Sequence, residues 1–225
     1  AATENASDDI DATQSASARL TASLADAQVS GTEAKISDGT VVSAGDDINV
    51  TAREDLDVDI MVGGVAGGLV GIGASVSVTN IGVTASAYAG GQLTAGDDIN
   101  VKAYLNETVD AMSLGGSIGF VGLGAAVVVI DDASVSQAAI GSGASIINAD
   151  TVTVRAESTQ TFDGYTGQIS SGAVGAGASF VKINVDNDSA TDTSATIGNN
   201  VNIGQGAGSV DDVNVAAVSN LTATA

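Results

Sequence analysis

Apolar and polar residues alternate along this chain in short runs that return at a nearly fixed distance. Ile48, Val50 and Ala52 alternate with Asn49 and Thr51; Ile99, Val101 and Ala103 with Asn100 and Lys102; Val152, Val154 and Ala156 with Thr153 and Arg155. Val76 and Val78 alternate with Ser77 in the same way. A period of two marks a strand with one apolar and one polar face. Gly, Asn, Asp and Ser between the runs supply turns, and the abundance of Gly, Thr and Val argues against helices. The expected class is all-β.

The runs belong to repeats. AGDDINV stands at 44–50 and again at 95–101, and a degenerate NADTVTV at 148–154. About twenty residues after each comes a glycine-rich block: GLVGIGASVSV from 68, GFVGLGAAVVV from 119 and GAVGAGASFVK from 172. Counting from Asp46 to Asp97, Asp150 and Asp211 gives steps of 51, 53 and 61 residues. The chain divides into a partial repeat at 1–40, where Asp8-Asp9-Ile10 echoes the motif, repeats at 41–92, 93–147 and 148–209, and a partial repeat at 210–225. All of it reads as one continuous array.

Such a unit cannot bury its apolar face alone, but stacking on its neighbour can. The expectation is a parallel β-solenoid (β-helix) built from degenerate 51–61-residue repeats. Coils of roughly 20 residues, two or three to a repeat, would make a rod roughly 50 Å long. The absence of Pro agrees, since Pro removes a ladder donor; an antiparallel β-sandwich is the rival. Small and β-branched residues supply most of the 44% apolar content, with three Phe, three Tyr and no Trp, which suits thin stacked β layers.

Charge narrows the partners. Twenty-seven acids against six bases (Arg19, Lys35, Arg53, Lys102, Arg155, Lys182) give a net −21, which argues against nucleic acid and against anionic lipid. There is no Cys and no His, excluding disulfides and thiolate or imidazole zinc sites. The opening AATENASDD has neither a basic start nor an apolar run, so no signal peptide is expected there. Residues 111–130 carry no charge and have the length of a membrane helix. The third copy, GYTGQISSGAVGAGASFVKINV, is too polar to insert, so no membrane insertion is expected. Gly there is read as allowing close backbone approach at a tight part of the coil.

Candidate chemistry is sparse. The Asp pairs Asp8/Asp9, Asp46/Asp47, Asp97/Asp98 and Asp211/Asp212 are turn formers first. As carboxylates they are also weak calcium candidates, chiefly Asp46, Asp47, Asp97, Asp98, Asp211 and Asp212. Coils of 20 residues would hold equivalent pairs roughly 10–15 Å apart, beyond a Debye length, so repulsion needs no ion. Asp55, Asp57 and Asp59 share one strand face, and only the last recurs, as Asp110 and Asp163. Asp186-Asn187-Asp188 with Asp192 lacks the glycine and glutamate of a hand-type calcium loop. Asn80, Asp131 and Asn184 end equivalent strands, and the Thr-x-Thr spots recur at no single position, which excludes an ice-binding ladder. Without His, and with bases scattered on an acidic chain, no catalysis is expected.

Gly177-Ala178-Ser179, then Asn184, Ala195-Thr196-Ile197-Gly198 and Asp212-Val213-Asn214-Val215 form an ordered set. It is repeated as Gly124-Ala125-Ala126, Asp131, Ala139-Ile140-Gly141 and Thr151-Val152-Thr153-Val154. Over roughly residues 41–217 this resembles the repeat regions of large bacterial surface proteins, the filamentous-haemagglutinin and leukotoxin-type adhesins. Lys182 and Asp150-Thr151 depart from the pattern. The resemblance implies secretion to the cell surface, a β-helical rod, and a part in attachment or in an extracellular fibre. The expected function is a structural module that self-associates end to end into a homopolymer by β-stacking. The alternative is an adhesin module whose outward loops bind surface glycans or proteins.

Overall fold

The computed structural model describes residues 30–185, 193–204 and 208–225. The expectations placed on Asp8, Asp9, Asp186, Asn187, Asp188, Thr191 and Asp192 lie outside these residues. Among the described residues the regular elements are all strands, and no helix is long and apolar enough to cross a membrane.

The strands run β1 (Ser30–Ile36), β2 (Val41–Ser43), β3 (Ile48–Ile81), β4 (Val83–Ala89), β5 (Gln92–Thr94) and β6 (Ile99–Asp132). They continue as β7 (Val135–Ile140), β8 (Ser145–Ser171), β9 (Val174–Val185), β10 (Thr193–Ile197), β11 (Asn202–Ile203) and β12 (Val210–Thr224). Each repeat forms one rung and lies parallel and in register on the next. Ile48 pairs with Ile99, Ile99 with Val152 and Val152 with Val213. A second ladder joins β1, β4, β7 and β10, and a third joins β2, β5, the start of β8, and β11. Pairing between repeats is parallel throughout, which sets the antiparallel sandwich aside.

The spacing between paired strands differs from expectation. A strand's partner lies one whole repeat away, 51 residues between β3 and β6, so among the described residues no 20-residue coils stack within a repeat. Four rungs therefore rise only ~15 Å at ~4.8 Å each. The reason is the glycine-rich block. Instead of turning a further coil, it carries the long strand outward and back.

In β3 the outgoing limb runs to Gly68 and the return limb starts at Val70; the register skips Leu69 and, one rung below, Phe120. A Cβ on Gly64 would meet the Ala74 carbonyl oxygen at 2.7 Å, and one on Gly71 the Ala66 oxygen at 3.1 Å. The limbs approach closely because these positions lack a side chain, as the sequence suggests.

Two apolar clusters result. Where the three ladders face one another, Ala85, Leu93, Ile99, Val101, Ile146 and Val154 are buried together. At the root of the arm the two limbs enclose Val109, Ala111, Val128, Ile130 and Phe162. At the corner before β2, β8 and β11 the chain turns through a left-handed residue: Gly39 (φ 74°), Gly143 (φ 75°) and Asn200 (φ 56°). Gly or Asn tolerates that geometry.

Candidate functional site

One-repeat rungs bring the Asp pairs closer than the sequence suggested. Equivalent turns sit on adjacent layers, ~4.8 Å apart rather than 10–15 Å. Carboxylate oxygens of Asp46, Asp47 and Asp97 all lie within 4.8 Å of one another on an exposed corner. Backbone bonds hold this corner: Gly96 N–H donates to the Ala44 carbonyl at 3.1 Å and Asp150 N–H to the Asp97 carbonyl at 2.7 Å.

In the Asp46/Asp47 and Asp97/Asp98 pairs the second Asp has a defined task. Asp47 Oδ1 accepts from the Asp98 N–H at 3.0 Å, and Asp98 Oδ1 accepts from the Thr151 N–H at 3.0 Å. Each therefore staples its turn to the rung below, as a turn former should. The first Asp carries unrelieved charge: Asp98 foremost, then partial desolvation and Asp150, Asp47 and Asp46, push the Asp97 carboxyl upward. Calcium takes six to eight oxygens, and this trio offers part of such a shell with Asp47 already engaged. Asp212 lies beside Thr151 on β12, away from the trio.

A second acidic row crosses the root of the arm, where Asp59, Asp110 and Asp163 stack in register. Partial desolvation, then Asp163 and Asp59, raise the Asp110 carboxyl. Asn80, Asp131 and Asn184 likewise stack at the end of the return limb, where Lys182 pairs with Asp131 at 3.6 Å.

The sequence reading missed a buried polar cluster between the two apolar cores. Glu107 and Asp132 are each 2% exposed. Asp132 accepts from Ser134 N–H and Oγ–H at 3.1 and 2.6 Å and from Gln160 Nε2 at 2.7 Å. Gln160 also reaches Glu107 Oε2 at 3.3 Å, while Glu107 Oε1 has no partner. Burial first, then the Asp132 charge, pushes the Glu107 carboxyl up to about 7. With three donors on Asp132, the pair holds its charge there and its proton on Glu107. The signal was in the alternation: Glu107 falls in phase with Val101, Ala103 and Leu105, and Asp132 with Val128 and Ile130. On the rung above, the same positions are Leu56 and Ile81.

Beyond Asp59 the arm is inverted. Gly71, Gly73, Ser75, Ser113 and Ser117 face inward, and Ser75 Oγ lies 2.7 Å from Ser113 Oγ. Met61, Val65, Ile72, Ile118, Phe120 and Ile169 face out, more than half exposed. The outgoing face holds two hollows, one of about 450 Å³ around Gly116 and one of about 500 Å³ between the Asp110 and Met112 rows. Neither is lined by Glu107 or Asp132. Comparison of the chain with protein-family models, curated proteins and solved structures finds no match.

Proposed function

We propose that the chain is a structural module of a secreted extracellular fibre or giant surface adhesin, its rungs winding as a parallel β-solenoid. The observation that carries this reading is the uninterrupted parallel register from Ile48 through Ile99 and Val152 to Val213. Each rung completes the hydrogen bonds of the last and hides its small aliphatic side chains, so added rungs add length and stiffness. Among the described residues the outer edges of β3 and β12 pair with nothing, and an open edge is a template for a further copy. The work assigned to the molecule is reach and end-to-end self-association at the cell surface, with no catalytic step.

A second reading, an adhesin module that binds glycans or proteins of a partner cell, is favoured by the exposed apolar arm. Electron microscopy of the purified chain separates the two. Filaments with a layer spacing near 4.8 Å support end-to-end stacking. Monodisperse rods that bind cells or glycans support the second reading and defeat the first.

A further inference from the structure

The outgoing face of the arm is an apolar surface with a regular relief. Across rungs one to three its rows are Met61/Met112/Tyr165, Gly63/Leu114/Gly167, Val65/Gly116/Ile169 and Gly67/Ile118/Ser171. Val65, Ile118 and Ile169 are 78%, 60% and 73% exposed, while Gly116 between them is buried in a notch. At roughly 100 Å² apiece, the large side chains of this face present on the order of 600–800 Å². That exceeds the few hundred Å² usual for a monomer's apolar patch and matches one partner's share of a standard interface, about 800 Å².

The relief is complementary to itself. A two-fold axis along the ladder direction, passing over Gly64, Gly115 and Gln168, sets the 114 row of one copy against the 116 row of the other. Gly63 then meets Val65, Leu114 meets Gly116, and Gly167 meets Ile169. The flanking rows bring Met61 to Gly67 and Tyr165 to Ser171. In each of these five contacts a large side chain faces a small residue, while the sixth, Met112 against Ile118, sets two large side chains together at the flank of a self-complementary interface.

Charge permits the same arrangement. The outgoing limb carries no charge from Ile60 to Gly68, from Ala111 to Gly119, or from Gly164 to Ser171. With the arms antiparallel, the Asp110 rows of the two copies stand ten residues apart along the strand. That is ~33 Å at the strand rise, several Debye lengths. The axis also preserves the stacking direction, so two rods lie side by side with their acidic bodies on opposite sides. A bilayer is a poorer occupant: among the described residues the outer edge of the arm along β3 pairs with nothing, and hydrocarbon leaves such backbone groups unsatisfied.

We infer that a second copy of this chain docks antiparallel on the outgoing face, Leu114 of each seated in the Gly116 notch of the other. This lateral contact is separate from the end-to-end stacking proposed above.

Sedimentation velocity on the full chain tests it, with Leu114→Asp and Gly116→Leu on the docking face and Val76→Asp on the return face as control. A dimer for the parent and for Val76→Asp, with monomers for both docking-face variants, is the expected pattern. Leu114 is already 43% exposed, so its variant should keep the β circular dichroism spectrum of the parent. Leu114→Cys with Gly116→Cys should also oxidise to a covalent dimer, the chain having no native Cys. If filaments form, Leu114→Asp should narrow paired filaments to single ones without shortening them, so the two contacts fail separately. A parent that stays monomeric, or a dimer that survives Leu114→Asp, overturns the proposal. Pelleting with phosphatidylcholine vesicles that Leu114→Asp abolishes would assign the face to lipid and overturn it too.

Discussion

The carboxylate of Asp47 accepts a hydrogen bond from the backbone N–H of Asp98 at 3.0 Å, although 51 residues separate them. Asp98 repeats the contact with Thr151, 53 residues on. The same side chain thus makes the turn and ties it to the next rung. Asp47→Ala removes the acceptor, whereas Asp47→Asn keeps one. The alanine variant should rank below the asparagine variant by about 1 kcal/mol in urea unfolding. Equal stability of the two would mean that the bond contributes nothing.

Charge at the same corner opposes folding. The Asp97 carboxyl is raised, chiefly by Asp98, so the folded state favours its protonated form and loses stability as rising pH ionises it. Asp97→Asn should therefore raise the melting temperature at pH 7 in low salt, and the gain should shrink in 1 M salt, where screening acts over ~3 Å. A gain independent of salt would point to another cause.

Glu107 gives the stability a pH dependence near neutrality. Its folded carboxyl titrates at about 7 against an ordinary 4.5. Between those values the folded state holds a proton that the unfolded state has released, so stability falls as pH rises through this window and levels off above it. The loss is on the order of 3 kcal/mol, and the chain has no His to mask it. Glu107→Gln, neutral at every pH, should flatten the curve between pH 5 and 8 and be the more stable protein at pH 8. An unchanged pH profile would contradict the assignment.

Much of this architecture was legible in the alternation, and particular residues show where legibility stopped. That Ile48, Ile99 and Val152 occupy equivalent positions was legible in the repeat, and parallel pairing follows from the repeats having to stack; that they are direct partners was not, since 20-residue coils would set them two or three layers apart. The spacing between paired strands did not follow, because a strand that doubles back at Gly68 has the same period-two pattern as two strands in separate coils. The distance between Asp46 and Asp97 was misjudged for that reason alone. Alternation also carries no sign. Val76 and Ser77 announce two faces, but which is inside depends on the limb opposite, and here Ser77 is buried and Val76 exposed. Glu107 shows the same limit: its charge marks it for the surface, whereas its phase with Val101, Ala103 and Leu105 puts it in the core.

Two equivalent glycines of the AGDDINV motif separate stacking from local turn chemistry. A Cβ on Gly96 would press on the carbonyl group of Gly45 in the rung above, whereas a Cβ on Gly45 would have nothing within 4 Å. Gly96→Ala should cost about 1–3 kcal/mol, and Gly45→Ala should leave the urea midpoint nearly unchanged. If both glycines mattered equally, the demand would come from the turn itself.

The claim that one repeat makes one rung is tested most directly by a cysteine pair. Thr51 and Lys102 are register partners on adjacent strands, within the Cα separation of 4.4–6.8 Å that a disulfide spans. Thr51→Cys with Lys102→Cys should close an intramolecular disulfide on mild oxidation, while Thr51→Cys with Ile72→Cys, the pair that a 20-residue coil would align, should stay reduced. Crosslinking of the second pair and not the first would contradict the account.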